Sequence, residues 1–304
     1  MSVRDLTIFG CSSQQPTRFR SHPGYLLRWN EEGFLLDPGE GTQRQFIFAN
    51  IAPTTTTKIL ISHFHGDHCL GLGSMLMRLN LDQVKHTVHC YFPASGQRYF
   101  NRLRFGTSYH ERIKVVPHPI IEGDVVEDGD FILEAFPLVH AIETLGWRIT
   151  EKEKRRFDRA LLEHHAIRGP AVRELITKGC VETSQGMVCL DQVSTMQKGD
   201  VFAYVTDTLP CEQALCTAQG AQLFLCESTY LESERHLATQ NLHMTAKDAA
   251  SIAKQAGVRQ LVLTHFSGRY PDTFPFLEEA REIFPNTLLA EDLKTIPFER
   301  SSKK

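Results

Sequence analysis

Short apolar runs recur along the whole chain, and each is bounded by turn-forming or polar residues. They are rich in Ile, Val, Leu and Phe, which is typical of buried strands. The runs are LTIFG, GYLLRW, GFLLD, KILIS, FILEAFPLV, VFAYVT, QLFLC and QLVLT. A chain with this many separate strand segments is expected to fold around sheets.

Helical patterns lie between several of these runs. Residues 245–257 read TAKDAASIAKQAG, with Thr245 as a helix cap, Asp248 at the third helical position and Gly257 as a stop. PFLEEAREIF near the C-terminus is similar. Strands and helices mixed in this way predict an α/β or layered α/β/β/α domain. The 304 residues are enough for one large domain or two small ones.

Composition sets limits on location and partners. The net charge of -3 excludes a uniformly basic surface, but it allows a local basic patch. The N-terminal MSVRDLTIFG lacks the apolar region of a signal peptide, and no apolar run approaches the roughly 20 residues of a membrane span, so a cytoplasmic protein with no membrane partner is expected.

The cysteines are scattered, and no C-x-x-C pair occurs among them. In a chain of this length, such spacing predicts free thiols in a reducing compartment and no disulfide framework. They are Cys11, Cys69, Cys90, Cys180, Cys189, Cys211, Cys216 and Cys226.

A dense histidine cluster, ISHFHGDHCLGL, follows the apolar run KILIS. Imidazole and carboxylate groups are good Zn²⁺ ligands. In an extended segment residues two apart point the same way, so His63 and His65 can share one metal. Asp67 and His68 follow the turn at Gly66 and point elsewhere. The split predicts two adjacent metals, whereas polar loop residues without a ligand role would not explain this spacing.

Further residues of ligand type come directly after other apolar runs. FPLVH ends in His140, FAYVTD ends in Asp207 and LVLTH ends in His265. Strand ends present side chains to a shared edge of a sheet. Either histidine alone would more often be structural, but the repeated pattern predicts that these residues complete the metal site.

The sequence from residue 151 to about 183 differs from the rest of the chain. It is charged, helix-prone and poor in strand signals, and the core-like pattern resumes only near Val201. We therefore expect an insertion over about residues 150–198, with Pro170 beginning a second helix. Charge alone leaves a solvated helical hairpin as an equal alternative. The basic residues are Lys152, Lys154, Arg155, Arg156, Arg159, Arg168, Arg173 and Lys178.

These motifs together resemble the metallo-β-lactamase fold of binuclear hydrolases and, within it, the ribonuclease Z family of tRNA 3′-end endonucleases. The supporting stretches are SHFHGDHCLGL, LDPGEGTQRQ, TDTLP, ESTY, HMTAKDAA and THFSGRY. The resemblance covers nearly the whole chain. It implies a single domain over residues 1–304, an αββα sandwich, with an inserted helical, basic arm that binds tRNA.

The resemblance also implies a metal arrangement of two Zn²⁺ ions per subunit, with Mn²⁺ as an alternative. One ion would be held by His63, His65 and His140. The other would be held by Asp67, His68 and His265, and Asp207 would bridge both.

The implied activity is removal of the 3′ trailer from precursor tRNA, which leaves a 3′-hydroxyl on the tRNA and a 5′-phosphate on the trailer. Asp67 is the implied proton acceptor, His243 the proton donor to the leaving oxygen, and Glu227 the residue that orients His243. An ordinary capping-region role for His243, and no catalytic role for Glu227, remain as alternatives. A homodimer is implied, in which the arm of one subunit serves the other's active site.

Two other functions fit part of the pattern. A phosphodiesterase or arylsulfatase acting on small esters could use the same fold, but a small substrate needs no distant arm. A non-catalytic RNA-binding module would be expected to have lost metal ligands, and every expected ligand is present.

Overall fold

The computed structural model describes residues 3–300. The strands are β1 (Arg4–Gly10), β2 (Ser12–Ser13), β3 (Gly24–Trp29), β4 (Glu32–Leu36), β5 (Lys58–Leu60), β6 (Val88–Pro93), β7 (Val115–Ile120), β8 (Val125–Asp128), β9 (Phe131–Pro137), β10 (Leu145–Glu151), β11 (Lys154–Phe157), β12 (Cys180–Thr183), β13 (Gly186–Cys189), β14 (Ser194–Gln197), β15 (Val201–Val205), β16 (Leu223–Glu227), β17 (Gln260–Thr264), β18 (Phe266–Ser267), β19 (Thr287–Leu289) and β20 (Thr295–Pro297). The helices are α1 (Thr42–Phe48), α2 (Gly66–Cys69), α3 (Leu72–Leu81), α4 (Gln97–Arg104), α5 (Arg159–His164), α6 (Pro170–Lys178), α7 (Leu190–Val193), α8 (Glu212–Ala218), α9 (Arg235–Asn241), α10 (Ala246–Gln255) and α11 (Phe274–Arg281).

Two seven-stranded sheets dominate the described residues, in the orders β20-β1-β3-β4-β5-β6-β7 and β19-β17-β16-β15-β10-β9-β8. Side chains alternate between the faces of each strand. Leu27 therefore contacts the apolar layer that includes the second sheet, whereas Leu26 packs on the side of α1, α3 and α4. Trp29 and Phe131 meet across the two sheets with ring centroids 5.0 Å apart.

Helices α8, α10 and α11 contribute buried residues to the cluster that contains the second sheet. Each sheet is thus covered by helices on its outer side, and the predicted αββα sandwich is confirmed. Helix α10 begins as the sequence predicts, because the Thr245 hydroxyl accepts from Asp248 N and the Asp248 carboxylate accepts from Thr245 N. Along residues 3–300, none of the helices combines the length and the apolar composition that a membrane crossing requires.

Strand direction decides where the polar residues after each strand lie. Strands β15, β16 and β17 are parallel, and β9 runs the same way as β15 because both are antiparallel to β10. In the first sheet β4 and β5 are also parallel. The carboxyl ends of parallel strands meet at one edge. The residues that follow these strands are therefore gathered at one end of the sandwich.

Residues 152–199, called the arm below, lie between β10 and β15 and outside both large sheets. The prediction of a helical arm needs correction, because α5, α6 and α7 alternate with a β11–β14 ribbon and a β12–β13 hairpin. A two-stranded ribbon needs few apolar side chains, so charged β11 carried no recognisable strand pattern. Helix α6 does begin at Pro170.

The cysteine prediction is wrong for one pair, because Cys180 and Cys189 form a disulfide. The other cysteines are free. Cys180 lies directly opposite Cys189 in the β12–β13 hairpin, which turns between Thr183 and Gly186. Sequence spacing alone does not reveal such a pairing, because it depends on the register of the hairpin.

Gly71 lies where the loop after β4 crosses the turn between α2 and α3. Its N–H donates to Pro38 O at 2.8 Å, and a Cβ at this position would be 2.0 Å from Gly39 O. A Cβ on Gly39 would be 2.2 Å from Asp67 O. The two glycines therefore allow two backbones to approach closely, which brings the loop at the end of β4 against the helix that carries Asp67.

We expect Gly71→Ala to destabilise the fold by about 1–3 kcal/mol, because backbone atoms must move to admit the new methyl group. Urea unfolding followed by circular dichroism measures this change. Gly268→Ala is the matched control, because a Cβ there would come no closer than 3.6 Å to its neighbours, and it should change stability by no more than about 0.5 kcal/mol. Equal stabilities for Gly71→Ala and the wild type would contradict the packing argument.

Candidate metal centre

The predicted ligands meet at the end of the sandwich where the parallel strands finish, in two groups. In the first, ligand atoms of His63, His65, His140 and Asp207 all lie within 4.8 Å of one another. The same limit holds for Asp67, His68 and His265 in the second group.

In the first group the ring nitrogens face one another. His65 Nδ1 is 3.0 Å from His63 Nε2 and 3.3 Å from His140 Nε2. Asp207 Oδ2 is 3.7 Å from both His63 Nε2 and His140 Nε2. Lone-pair donors that converge in this way can share one cation.

The second group is built around His68 Nε2, which is 3.2 Å from His265 Nε2 and 3.4 Å from Asp67 Oδ2. Asp207 Oδ1 is 3.3 Å from His68 Nε2 and 3.2 Å from His265 Nε2. The two oxygens of Asp207 thus face different groups. This carboxylate is positioned to contact two neighbouring cations.

Four of these histidines use their other ring nitrogen to contact an oxygen atom outside the cluster. An Nδ1–H donated to that oxygen leaves the Nε2 lone pair directed at the cluster and holds the ring in place. The partners are Ser62 Oγ for His63 at 2.9 Å, Asp37 Oδ2 for His68 at 2.8 Å, Leu242 O for His140 at 3.1 Å and Thr229 Oγ1 for His265 at 3.0 Å.

Asp37 is a site residue that the sequence argument missed. It is fully buried, accepts from both Ser62 N and Ser62 Oγ at 2.6 Å, accepts from Tyr204 OH at 2.7 Å and holds His68. It directly follows the apolar run GFLL, so the strand-end pattern that identified Asp207 could also have identified it.

The protonation states suit metal binding. Burial lowers the pKa of His63, His65 and His140, so their imidazoles are neutral and offer lone pairs. Burial acts in the same direction on His68, but the carboxylates of Asp207 and Asp67 outweigh it and raise its pKa well above the usual value.

The second group therefore requires positive charge next to its carboxylates. A proton on His68 supplies it, and a metal cation at the same place would displace that proton. Imidazole nitrogens with carboxylate oxygens are the donor set that Zn²⁺ takes in hydrolytic sites. The residues present fit a divalent metal site.

A cleft of about 550 Å³ opens over the cluster, a volume within the range of ligand sites. His65, Asp67, Asp207 and His243 line it. His22 lines it too; it is 8% exposed, and its Nε2 has no hydrogen-bond partner among the described residues. A lone histidine in a loop carries no sequence signal, so His22 was not foreseen.

The structure also brings His243 and Glu227 into contact. His243 Nδ1 is 2.9 Å from Glu227 Oε1. The buried Glu227 carboxylate accepts from Thr208 N at 2.8 Å and from Thr229 Oγ1 at 2.6 Å, so its position is held from several sides. The His243 ring centroid is 5.3 Å from that of His140. The pair lies beside the metal-ligand groups.

An αββα sandwich with His and Asp groups at its strand ends defines a metallo-β-lactamase-fold protein. Residues 17–146 match the family model described as Metallo-beta-lactamase superfamily. The fold is shared with the short form of human tRNase Z (22% identity, 97% of this chain, 100% of that chain, TM-score 0.72). It is also shared with the metallo-beta-lactamase fold protein YhfI from Bacillus subtilis (17% identity, 97% of this chain, 99% of that chain, TM-score 0.71).

Full-length relatives narrow the assignment. The chain is 60% identical over 305 residues to Ribonuclease Z from Protochlamydia amoebophila (strain UWE25), covering 100% of both chains. It is 57% identical to Ribonuclease Z from Chlamydia muridarum (strain MoPn / Nigg), covering 99% of this chain and 100% of that one. The chain belongs to the ribonuclease Z family of the metallo-β-lactamase superfamily, and it is a metal-dependent endoribonuclease of that type.

We expect Asp37→Asn to weaken divalent metal binding by about 10–100-fold, because an amide holds the His68 imidazole less firmly and lowers its basicity. Titration against a competing chelator measures this change. Asp128→Asn is the control, since Asp128 also accepts from a tyrosine, Tyr91 OH at 2.7 Å, but takes no part in the cluster. Equal metal affinities for the two variants would exclude this role for Asp37.

Proposed function

We propose that this chain removes the 3′ trailer from precursor tRNA in the cytoplasm, leaving a 3′-hydroxyl on the tRNA and a 5′-phosphate on the trailer. The observation that carries the proposal is the pair of ligand groups sharing Asp207, with the His243–Glu227 pair beside them in one cleft. The full-length similarity to proteins named Ribonuclease Z supports it.

One Zn²⁺ would be held by His63, His65 and His140. A second would be held by Asp67, His68 and His265, and Asp207 would contact both. Mn²⁺ is the alternative ion. Two such ions supply Lewis acidity, which activates water for attack on phosphorus and neutralises phosphate charge.

Asp67 is the proposed proton acceptor. Burial alone would raise the pKa of Asp67, but His68 and His265 hold it well below the usual range, so the carboxylate is ionised. It lines the cleft, and its Oδ2 accepts a hydrogen bond from Gln14 N at 2.9 Å. The ionised carboxylate can therefore accept a hydrogen bond from an attacking water and orient it.

His243 is the proposed proton donor to the ribose 3′-oxygen that leaves. Burial lowers the pKa of His243, but the charges of Glu227 and Asp207 outweigh burial and raise the pKa to about 9. The imidazole is therefore protonated at neutral pH. Divalent cations nearby would oppose this effect, which makes the contact with Glu227 necessary to keep the proton in place.

The test is incubation with a precursor tRNA that carries a 3′ trailer, with product ends mapped to the nucleotide. We expect one cut after the discriminator base, no cut by Asp67→Ala, and a rate lower by about 10²–10⁴ for His243→Ala. His236→Ala is the matched control, because His236 is an exposed histidine on α9.

Two results would contradict parts of this assignment. Turnover of bis(p-nitrophenyl) phosphate without any cleavage of precursor tRNA would favour the small-ester hydrolase. A normal rate for His243→Ala would leave His243 without a role in proton transfer.

Glu227→Gln is expected to move the alkaline limb of the pH–rate profile to lower pH. The active form carries a proton on His243, so the rate falls as pH rises through the pKa of His243. Removing the negative charge of Glu227 lowers that pKa. The profile of kcat/KM on precursor tRNA measures the shift. An unmoved alkaline limb would mean that the limb reports another group.

The arm is the proposed tRNA-binding element. A cleft of about 480 Å³ at its base is lined mainly by cationic side chains, together with Glu151 and Asp200, which pair with Arg4. Lys154 and Arg156 lie on the same face of β11. Lysine and arginine contacts to phosphate supply much of RNA affinity. The cationic residues that line the cleft are Arg4, Lys152, Lys154, Arg156, Lys198 and Arg300.

The position of the arm supports a homodimer. At one end of β10, Leu145 N donates to Ser62 O at 2.9 Å beside the metal ligands. At the other end, Glu151 N donates to Asp200 O at 2.9 Å, where the arm begins. The arm thus starts at the opposite end of the sandwich, about 20 Å away by strand length. This arrangement favours a tRNA held by the arm of one subunit and cut by the other.

Four exposed apolar side chains are the proposed contact between subunits. They lie on α1 and α3, which pack against each other. Exposed apolar side chains that lie together mark interaction sites, and a second copy of the chain is the occupant that the position of the arm favours. The residues are Ile47, Phe48, Met77 and Leu81, which are 62%, 52%, 38% and 75% exposed.

Subunit complementation tests the shared site. Asp67→Ala and the arm variant Lys154→Glu/Arg156→Glu/Lys198→Glu should each be inactive on precursor tRNA. Mixed after dissociation, they should recover roughly a quarter of wild-type activity, because one site in each mixed dimer is productive. Adding Leu81→Asp to both should abolish the recovery. A mixture as inactive as its components would contradict the shared site.

A further inference from the structure

We propose that Cys180 and Cys189 form a reversible thiol–disulfide pair, oxidised and reduced by small thiols of the glutathione class, which controls tRNA binding by the arm. This inference rests on the proposed function in one respect, namely that the arm is the element that binds tRNA. It makes the hairpin β12–β13 a modification site that leaves the metal centre untouched.

The bond lies where several elements of the arm join. Cys180 follows Gly179, the residue that ends α6, and Cys189 precedes α7. Leu190 N donates to Gly179 O at 2.9 Å across the same junction. Closing the open end of the hairpin therefore also holds the end of α6 next to the start of α7.

The arm has little else to hold it together. Helix α5 has no buried residue, and α6 buries only Leu175. So small an apolar core seldom sustains a folded unit without a cross-link. A disulfide offsets this weakness by restricting the unfolded chain. The buried apolar residues of the arm are Ile167, Leu175, Val181, Val188 and Val193.

The junction leads directly to the basic face of the arm. Helix α7 runs from Leu190 to Val193 and continues without a break into β14, which pairs with β11. Lys154 and Arg156 lie on β11. When the bond is open, the hairpin can fray from its end, α7 loses its attachment, and the cations lose their fixed spacing.

The chemistry selects this pair over the other thiols. Cys180 and Cys189 are half-exposed, so a small thiol can reach them. Most of the free cysteines are buried, and burial raises the pKa of their thiols, so the reactive thiolate is scarce. Those with raised pKa are Cys11, Cys69, Cys90 and Cys226.

The exchange is balanced. The thiolate of one cysteine attacks a small-molecule disulfide, which forms a mixed disulfide and releases one small thiol. The second cysteine attacks the mixed disulfide, closes the Cys180–Cys189 bond and releases the second small thiol. Two protein thiols are oxidised, and one small disulfide is reduced to two thiols. Reduction of the bond is the reverse sequence.

The experiment equilibrates the full-length, metal-loaded protein with oxidised or with reduced glutathione, and mass spectrometry records the Cys180–Cys189 bond. Reduction is expected to lower kcat/KM on precursor tRNA by about tenfold. Turnover of bis(p-nitrophenyl) phosphate should stay the same, because the cleft lies at the other end of the sandwich. Trypsin should cut within residues 152–199 faster in the reduced protein.

Two variants separate this pair from other thiols. Cys180→Ser/Cys189→Ser should behave like the reduced protein under both conditions. Cys211→Ser/Cys216→Ser, which changes the two half-buried free cysteines, should keep the full response.

The other possible results test either the redox switch or the proposed function. A pair that stays reduced in oxidised glutathione, or a bond whose reduction leaves both tRNA turnover and trypsin cleavage unchanged, overturns the switch. If neither form cuts precursor tRNA, the proposed function fails, and the rate of trypsin cleavage still decides whether the bond orders the arm.

Discussion

The carboxylate of Asp207 lies between two groups of histidines, and the organisation of the protein depends on this contact. One oxygen faces His63 and His140, and the other faces His68 and His265. These residues follow β5 in one sheet and β9, β15 and β17 in the other, so they converge only if those strands end at the same edge of the sandwich. Cations between these donors would link the sheets, which makes folding and metal binding interdependent.

Assembling the site places costly features in one region. Asp37, Asp207 and Glu227 are carboxylates buried at the strand ends. Several donors hold Asp37 and Glu227, and Asp207 accepts from Thr206 Oγ1 at 2.8 Å. The backbone of Asp37 (φ +44°), Leu242 (φ +59°) and His265 (φ +62°) is left-handed, a conformation that costs about 1–3 kcal/mol for residues other than glycine. Leu242 O accepts from His140 Nδ1, so each of these three residues orients a metal-ligand side chain or carries one. The rest of the sandwich must compensate for this strain.

The metal-ligand groups and the basic arm lie at opposite ends of the sandwich. The cleft and its histidines lie at the carboxyl ends of β5, β9, β15 and β17, whereas the arm leaves from the far ends of β10 and β15. A rigid core with a large buried cluster carries the reacting groups, and a small unit with a few buried residues carries the cations. In the proposed function this separation keeps the tRNA-binding cations away from the metal-ligand groups.

Local pattern in the sequence determined the strands with strongly apolar runs, helix α10 with its Thr245 cap, and the residues that gather at the cluster. Several of the apolar runs are followed by a side chain of ligand type, and parallel strand ends share an edge. Asp37 also directly follows an apolar run, but the sequence argument missed it and used it only as part of the family motif LDPGEGTQRQ. Only the tertiary structure decided that Asp207 has one oxygen toward each group, that Cys180 faces Cys189, and that the charged arm contains strands. Those features depend on register and on contacts between residues distant in the chain, and neither the spacing of residues nor their composition determines which backbone segments come together.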